Sequence, residues 1–243
     1  MSEGDRTAIV TGGGKRVGEA IVRALLDDGW VVVAHVHHDA DPVLPGAVKT
    51  VADLADPDCA VRIFAAVDGL PPVRLLVNNA ARFAFDGFGS ADPAEFEAHL
   101  TVNARAPMLL IDELARRHGS GDASVVNMLD AKLAAPNPDF LSYTISKYAL
   151  AGLTELAARA LAGKGIRVNG IAPALMLPSG QQNEGNFAAV HDLNPLRRGI
   201  EVGDVIAAVR YLTDSDRVTG QTLTLDGGQR FWALDRDVQF LEK

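Results

Sequence analysis

The sequence predicts a doubly wound α/β fold with a parallel sheet. Short β-rich runs alternate with helical stretches along the whole chain. Several of these runs are apolar without interruption, as strands covered on both faces are. The first run ends in a glycine-rich turn that leads into a helix. No repeat, low-complexity linker or composition break divides the 243 residues, so residues 1–243 read as a single Rossmann-like domain with helices on both faces. The crossovers should be right-handed.

Thr7-Ala8-Ile9-Val10 is the first strand, closed by Thr11-Gly12-Gly13-Gly14. Over residues 17–28, Val17, Ala20, Ile21, Ala24, Leu25 and Leu26 share one helical face, and Gly29 ends it. Trp30-Val31-Val32-Val33-Ala34 is the second strand. Residues 38–47 are too broken by Asp and Pro for a helix, so the second crossover is a loop. A weak third strand covers 48–52. Asp56-Pro57 opens a helix to about residue 67, with Pro as its first residue. After the strand Val73-Arg74-Leu75-Leu76-Val77, Asp92-Pro93 opens a helix that reaches Arg117 despite Pro107. Ser124-Val125-Val126-Asn127-Met128 is a strand, and residues 140–162 form a long Ala/Leu-rich helix closed by Gly163 and Gly165. Strand Ile166-Arg167-Val168-Asn169, a helix over 201–212 and strand Thr222-Leu223-Thr224-Leu225 complete the pattern. Residues 174–195 are irregular, and a loop of that length inside a compact domain is a lid or a binding loop.

Composition narrows the partners. The formal net charge of −8 repels phosphate backbones, and the densest cations are pairs such as Lys15–Arg16 and Arg197–Arg198, so no nucleic acid is expected. The single Cys59 excludes an intramolecular disulfide and a Cys-based zinc site. No histidine pair stands in a metal motif, so no metal is expected. The N-terminus is polar and acidic, and no stretch approaches the ~18 apolar residues of a membrane span. The expectation is a cytoplasmic protein with no membrane partner.

The turn from Thr11 to Gly18 suits a dinucleotide. Glycines there permit a tight turn and close approach of a pyrophosphate to the N–H groups that open the helix. After the second strand, His35-Val36-His37-His38-Asp39 replaces the acid that usually accepts from the NAD ribose. His37 and His38 suit a 2′-phosphate that Lys15 neutralises, or else they are loop polarity. Asp39 argues for NADH; the balance favours NADPH. Asp53 reaches toward an adenine edge, or caps a turn.

Tyr143-Thr144-Ile145-Ser146-Lys147 completes a set of motifs. With the Thr11-Gly12…Gly18 turn, Asn78-Asn79-Ala80, Asn103 and Val168-Asn169-x-Ile171-x-Pro173, it resembles the short-chain dehydrogenase/reductase family over nearly the whole chain. The resemblance implies a seven-stranded Rossmann-like sheet in a homotetramer or homodimer. It also implies cofactor contacts from Gly12, Lys15, Arg16, Val17, Gly18, His37, His38, Asp53, Asn79, Ala80, Lys147 and Pro173.

Two departures point to the pteridine reductase branch. Arg16 stands where the family turn usually has Gly, and Asp130 stands 13 residues before Tyr143, where the catalytic Ser usually is. Phe83 matches the aromatic residue that branch stacks on the pterin ring, and the ending Arg236-Asp237-Val238-Gln239-Phe240-Leu241 looks like its bacterial members. Pro173-Ala174 in place of Pro-Gly, and Ala81 where a pteridine reductase carries Ser, depart from the pattern.

Tyr143 and Lys147 are one helical turn apart and share a face. A neighbouring ammonium and an oxidised nicotinamide should lower the phenol pKa from its usual value near 10, making Tyr143 an acid/base near neutrality. By resemblance, Asp130 works with Tyr143 to protonate a ring nitrogen, Lys147 also holds the nicotinamide ribose, and Asn103 fixes a helix backbone and a relay water. Arg16, Phe83, Asp130 and Tyr143 would bind the pterin. The bland alternatives are a turn-capping Arg16, a core Phe83 and a strand-end cap at Asp130. Trp232, Phe231 and the tail border the site or a subunit contact. The expected activity is NADPH-dependent reduction of a dihydropterin resembling dihydromonapterin or dihydrobiopterin. The alternatives are reduction of another ketone or imine, or a cofactor-binding regulator without turnover.

Overall fold

The computed structural model describes residues 5–178, 184–232 and 234–241. Seven parallel strands form one sheet: β1 (Thr7–Val10), β2 (Val31–Val36), β3 (Val48–Val51), β4 (Val73–Asn78), β5 (Ala123–Met128), β6 (Ile166–Pro173) and β7 (Thr222–Leu225). Their order is β3-β2-β1-β4-β5-β6-β7. Successive side chains of a strand point to opposite faces. Ile9 and Leu76 therefore pack with Phe64, Leu110 and Leu114 in one core layer. Ala8, Val10, Leu75 and Val77 pack with Ile21, Leu25 and Leu212 in the other.

The helices are α1 (Arg16–Asp27), α2 (Cys59–Ala65), α3 (Pro93–Leu100), α4 (Ala106–Arg117), α5 (Leu141–Leu161), α6 (Glu184–His191) and α7 (Val202–Asp214). As expected, β2 and β3 are joined without a helix. Three expectations change. Pro57 is not the first residue of α2: Asp56 Oδ1 accepts from Asp58 N at 2.9 Å, and this local turn delays the helix to Cys59. The stretch over 93–117 is not one α-helix, because a π turn, Thr101–Arg105, separates α3 from α4. Pro107 has no N–H for the carbonyl four residues back, and the wider turn lets the chain continue past it. The 174–195 segment contains α6; residues 179–183 of it lie outside the described residues. Among the described residues no helix is long and apolar enough to cross a membrane.

The strand order reverses direction between β1 and β4. In an open parallel sheet, ligands bind in the crevice beyond the carboxyl ends of the strands at this switch point. The glycine turn follows β1 there, and Asn79-Ala80 follows β4.

Candidate active site

Long-range hydrogen bonds hold the glycine turn. Thr11 Oγ1 accepts from Asn79 N at 2.9 Å and from Ala80 N at 3.0 Å, while Asn79 Nδ2 donates to Thr11 O at 2.8 Å. Gly12 has φ +64°, a left-handed conformation suited to glycine. A Cβ on Gly18 would lie 2.0 Å from Gly12 O, so glycine there lets α1 close onto the turn. Arg16 also has a left-handed φ, +54°. The position the family usually fills with Gly thus keeps its glycine conformation. An Arg there costs about 1–2 kcal/mol of backbone strain, the kind of cost that collects at functional sites.

Gly12, Lys15, Arg16, Val17, Gly18, His37, Asp53, Asn79 and Ala80 line one cavity of about 530 Å³. Its lining fits a dinucleotide's adenosine and phosphates: the glycine turn and the first residues of α1 with their backbone N–H groups, Lys15 and His37. His38 does not line the wall; its ring stacks on His37 at 3.9 Å. Asp53 accepts from Ala55 N at 2.8 Å as a turn residue, and it also lines the cavity, 3.7 Å from His37 Nε2. Asp39, the argument for NADH, pairs with Lys49 at 3.5 Å and is not on the wall.

Arg16, Val17 and Asn79 also line a second cavity of about 450 Å³, with Phe83, Asp130, Tyr143, Lys147 and Pro173. Here the Tyr143 hydroxyl donates to Asp130 Oδ2 at 2.8 Å. Asp130 Oδ1 accepts from Lys132 N at 2.8 Å, so the carboxylate is a cap as well as a partner of the phenol. Lys147 Nζ donates to Met128 O at 2.6 Å, the last residue of β5. Phe83 is 36% exposed, stacked on Phe140 at 4.5 Å and edge-on to Tyr143 at 4.7 Å. It faces the cavity and is not a core residue. Arg16 Nη2 donates to Pro178 O at 2.9 Å and so ties the glycine turn to the segment after β6.

The expected lowering of the phenol pKa does not follow from these surroundings. Burial and then the Asp130 carboxylate push Tyr143 well above its usual value. Lys147 lies 5.6 Å from the phenol ring and spends its Nζ on Met128 O, while burial lowers its own pKa to about 8. The Asp130 carboxyl opens partly onto the cavity, yet desolvation by the surrounding protein still raises its pKa. The pair is built to hold protons.

Asn103 lies in the π turn and is not on either cavity wall. Its amide accepts from Arg82 N at 2.7 Å and donates to Arg82 O and to Ser146 Oγ, both at 2.9 Å. It fixes the Phe83 segment against α5, one residue from Lys147. Trp232 lines the second cavity, whereas Phe231 is exposed and does not.

Two supporting residues escaped the sequence reading. Neutral His35, buried in β2, accepts from Gly12 N through Nδ1 at 3.2 Å and donates from Nε2 to Ala52 O at 2.9 Å. Burial lowers its pKa, which preserves this tautomer. Its signal was a polar ring inside an apolar strand. Buried Asp86 accepts from Ser142 N at 2.9 Å and from Ser142 Oγ, capping the helix that carries Tyr143. A cap supplied from 56 residues away leaves no local signature.

The family model described as enoyl-(acyl carrier protein) reductase matches residues 14–230. L-xylulose reductase of Bos taurus is 33% identical, over 92% of this chain and 96% of that protein. Pteridine reductase 1 of Leishmania tarentolae is 32% identical, over 91% and 95%. The crystal structure of FolM alternative dihydrofolate reductase 1 from Brucella suis in complex with NADP superposes with a TM-score of 0.88. It is 35% identical and covers 95% of this chain and 97% of its own. The chain belongs to the short-chain dehydrogenase/reductase family, in its pteridine reductase-like branch, and is an NAD(P)H-dependent oxidoreductase.

Proposed function

We propose that the protein reduces a dihydropterin to the tetrahydropterin with NADPH. The observation that carries this reading is the 2.8 Å hydrogen bond between Tyr143 and Asp130 in a cavity shared with Phe83 and Arg16. A carboxyl beside the phenol suits a substrate with ring N–H groups and a nitrogen to protonate. Against a carbonyl oxygen, an ionised Asp130 would repel the developing negative charge. Phe83 offers a flat wall to a fused ring, worth about 1 kcal/mol beyond the area buried. Arg16 presents a planar donor fork at the junction of the two cavities.

NADPH, held by the residues that line the two cavities, would supply the hydride for the carbon of the substrate C=N bond. Tyr143 Oη gives its proton to the nitrogen, and Asp130, once protonated from solvent at the cavity, returns one to the phenolate through Oδ2. Lys147 would hold the nicotinamide ribose, and it supplies positive charge 5.6 Å from the phenol ring. The cavity-facing His37 and Lys15 favour the 2′-phosphate and hence NADPH over NADH. Residues 174–195 act as the substrate loop, supported by Ala174, Leu175, Met176 and Leu177 on the wall. A cytoplasmic homodimer or homotetramer of single-domain subunits completes the reading; exposed Ile145, Tyr148 and Leu156 on α5 suit packing against a second copy.

The likeness to L-xylulose reductase favours a second reading, a reductase of another ketone. Asp130→Ser separates the two. The dihydropterin reading predicts a loss of about 10²-fold in kcat for the dihydropterin, with NADPH affinity unchanged by fluorescence titration. Turnover within twofold of the parent would count against it.

A further inference from the structure

The last described residues are fastened against the wall of the second cavity. The carboxylate of Asp139, buried just before α5, accepts from Arg236 Nε at 2.8 and 3.1 Å and from Asp237 N at 2.8 Å. Lys132 Nζ donates to Asp139 O at 2.5 Å and to Asp237 Oδ2 at 3.3 Å. Phe240 packs on Phe140 at 5.9 Å and edge-on to Phe85 at 5.6 Å, and Arg236 lies over its ring at 5.0 Å. Three kinds of contact thus tie one short segment to the loop between β5 and α5. That loop carries Asp130 at one end and Tyr143 just past the other.

The fastened segment turns Asp237, Val238 and Gln239 into the cavity wall. Asp237 is only 15% exposed, and its two oxygens accept from Lys132 Nζ and, at 3.1 Å, from Gln239 N. A carboxylate has about four acceptor sites, so lone pairs remain for a ligand. Asn137 and Gln229 line the same cavity; each amide has one bond within the protein, Asn137 Oδ1 from Asp139 N at 3.3 Å and Gln229 Nε2 to Leu193 O at 3.2 Å, and keeps further donors and acceptors. Carboxylate acceptors mixed with amides match a group that both donates and accepts, as a hydroxyl does. An apolar group there would leave the wall polar groups unpaired, and an anionic one would face Asp237.

Resting on the dihydropterin reading, we propose that residues 236–240 form a specificity wall and that Asp237 binds the hydroxylated side chain of the substrate. The Lys132 and Asp139 contacts hold Asp237 in place for this, so Lys132, Asp139 and Arg236 are positioning residues. Specificity therefore resides in a segment outside the glycine turn and the Tyr143–Lys147 pair.

The test compares kcat/KM for 7,8-dihydropterins that carry a trihydroxypropyl group or a methyl group at C6. Asp237→Ala should lower kcat/KM for the hydroxylated substrate about tenfold more than for the methyl one, the loss of one hydrogen bond to a charged group. The difference should lie in KM. Arg236→Ala, which frees the segment and keeps the carboxylate, should shift the same ratio in the same direction by a smaller factor. Equal losses on both substrates, or an unchanged ratio, would overturn this inference and leave the dihydropterin reading standing. If the parent protein consumes neither dihydropterin, both fall together.

Discussion

Tyr143→Phe should lower kcat for dihydropterin reduction by about 10²–10⁴-fold, the range for losing a positioned general acid. The variant deletes one oxygen from a buried ring packed edge-on against Phe83, so the fold and the aromatic wall should survive. NADPH binding should persist, because the cavity lined by Gly12, Lys15 and His37 does not contain Tyr143. The pH profile gives a second readout. Burial and Asp130 hold the phenol pKa well above its usual value, so the phenol remains a proton donor throughout the neutral range. The parent enzyme should keep its activity from acid to neutral pH, with no loss that tracks phenol ionisation below pH 8. An activity that rises steeply toward alkaline pH would mean that a phenolate base is required and would contradict this assignment.

Lys147→Met should separate activity from stability. Loss of the buried ammonium should cost about 10²–10³-fold in kcat, as removal of one preorganised electrostatic donor does. Stability should move the other way. Burial lowers the Lys147 pKa from 10.5 to about 8, so the folded protein disfavours the charged form. At 1.36 kcal/mol per unit the penalty is about 3 kcal/mol. Linkage fixes the pH window. Below pH 8 the lysine is charged in both states and the folded state bears the whole penalty; between pH 8 and 10.5 the unfolded chain binds more protons, and the penalty fades. At pH 7 the methionine variant should be more stable by roughly 1–2 kcal/mol, because leaving the Met128 carbonyl without its donor offsets part of the gain. Denaturant unfolding of both proteins at pH 7 and pH 10 checks this. The gap should shrink at pH 10, and a less stable variant at pH 7 would contradict the account.

The seven strands were legible because a parallel sheet covered on both faces needs apolar runs such as Val31–Val33 and Leu75–Val77. The short crossover after β2 was legible from its prolines and acids. The π turn was not, because the effect of Pro107 depends on whether the preceding turn can widen. Helix α6 was hidden by Gly185 and Asn186, poor helix formers. It is helped by the far end of the chain, where Asn186 Nδ2 donates to Leu241 O at 3.3 Å.

The site shows the same division. Spacing placed Asp130, Tyr143 and Lys147 together, and the Arg16 substitution marked a position whose backbone is left-handed. Spacing does not give burial, however. Desolvation and the carboxylate 2.8 Å away therefore outweigh the expected effect of Lys147 on the phenol. His35 and Asp86 act on groups 23 and 56 residues distant, and sequence periodicity carries no trace of such pairings.

The most direct measurement is steady-state oxidation of NADPH by the purified protein with 7,8-dihydromonapterin, with NADH run in parallel. The account predicts dihydropterin-dependent turnover, faster with NADPH than with NADH, and a tetrahydropterin product. Protein that binds NADPH yet consumes no dihydropterin, while reducing a simple ketone, would contradict it.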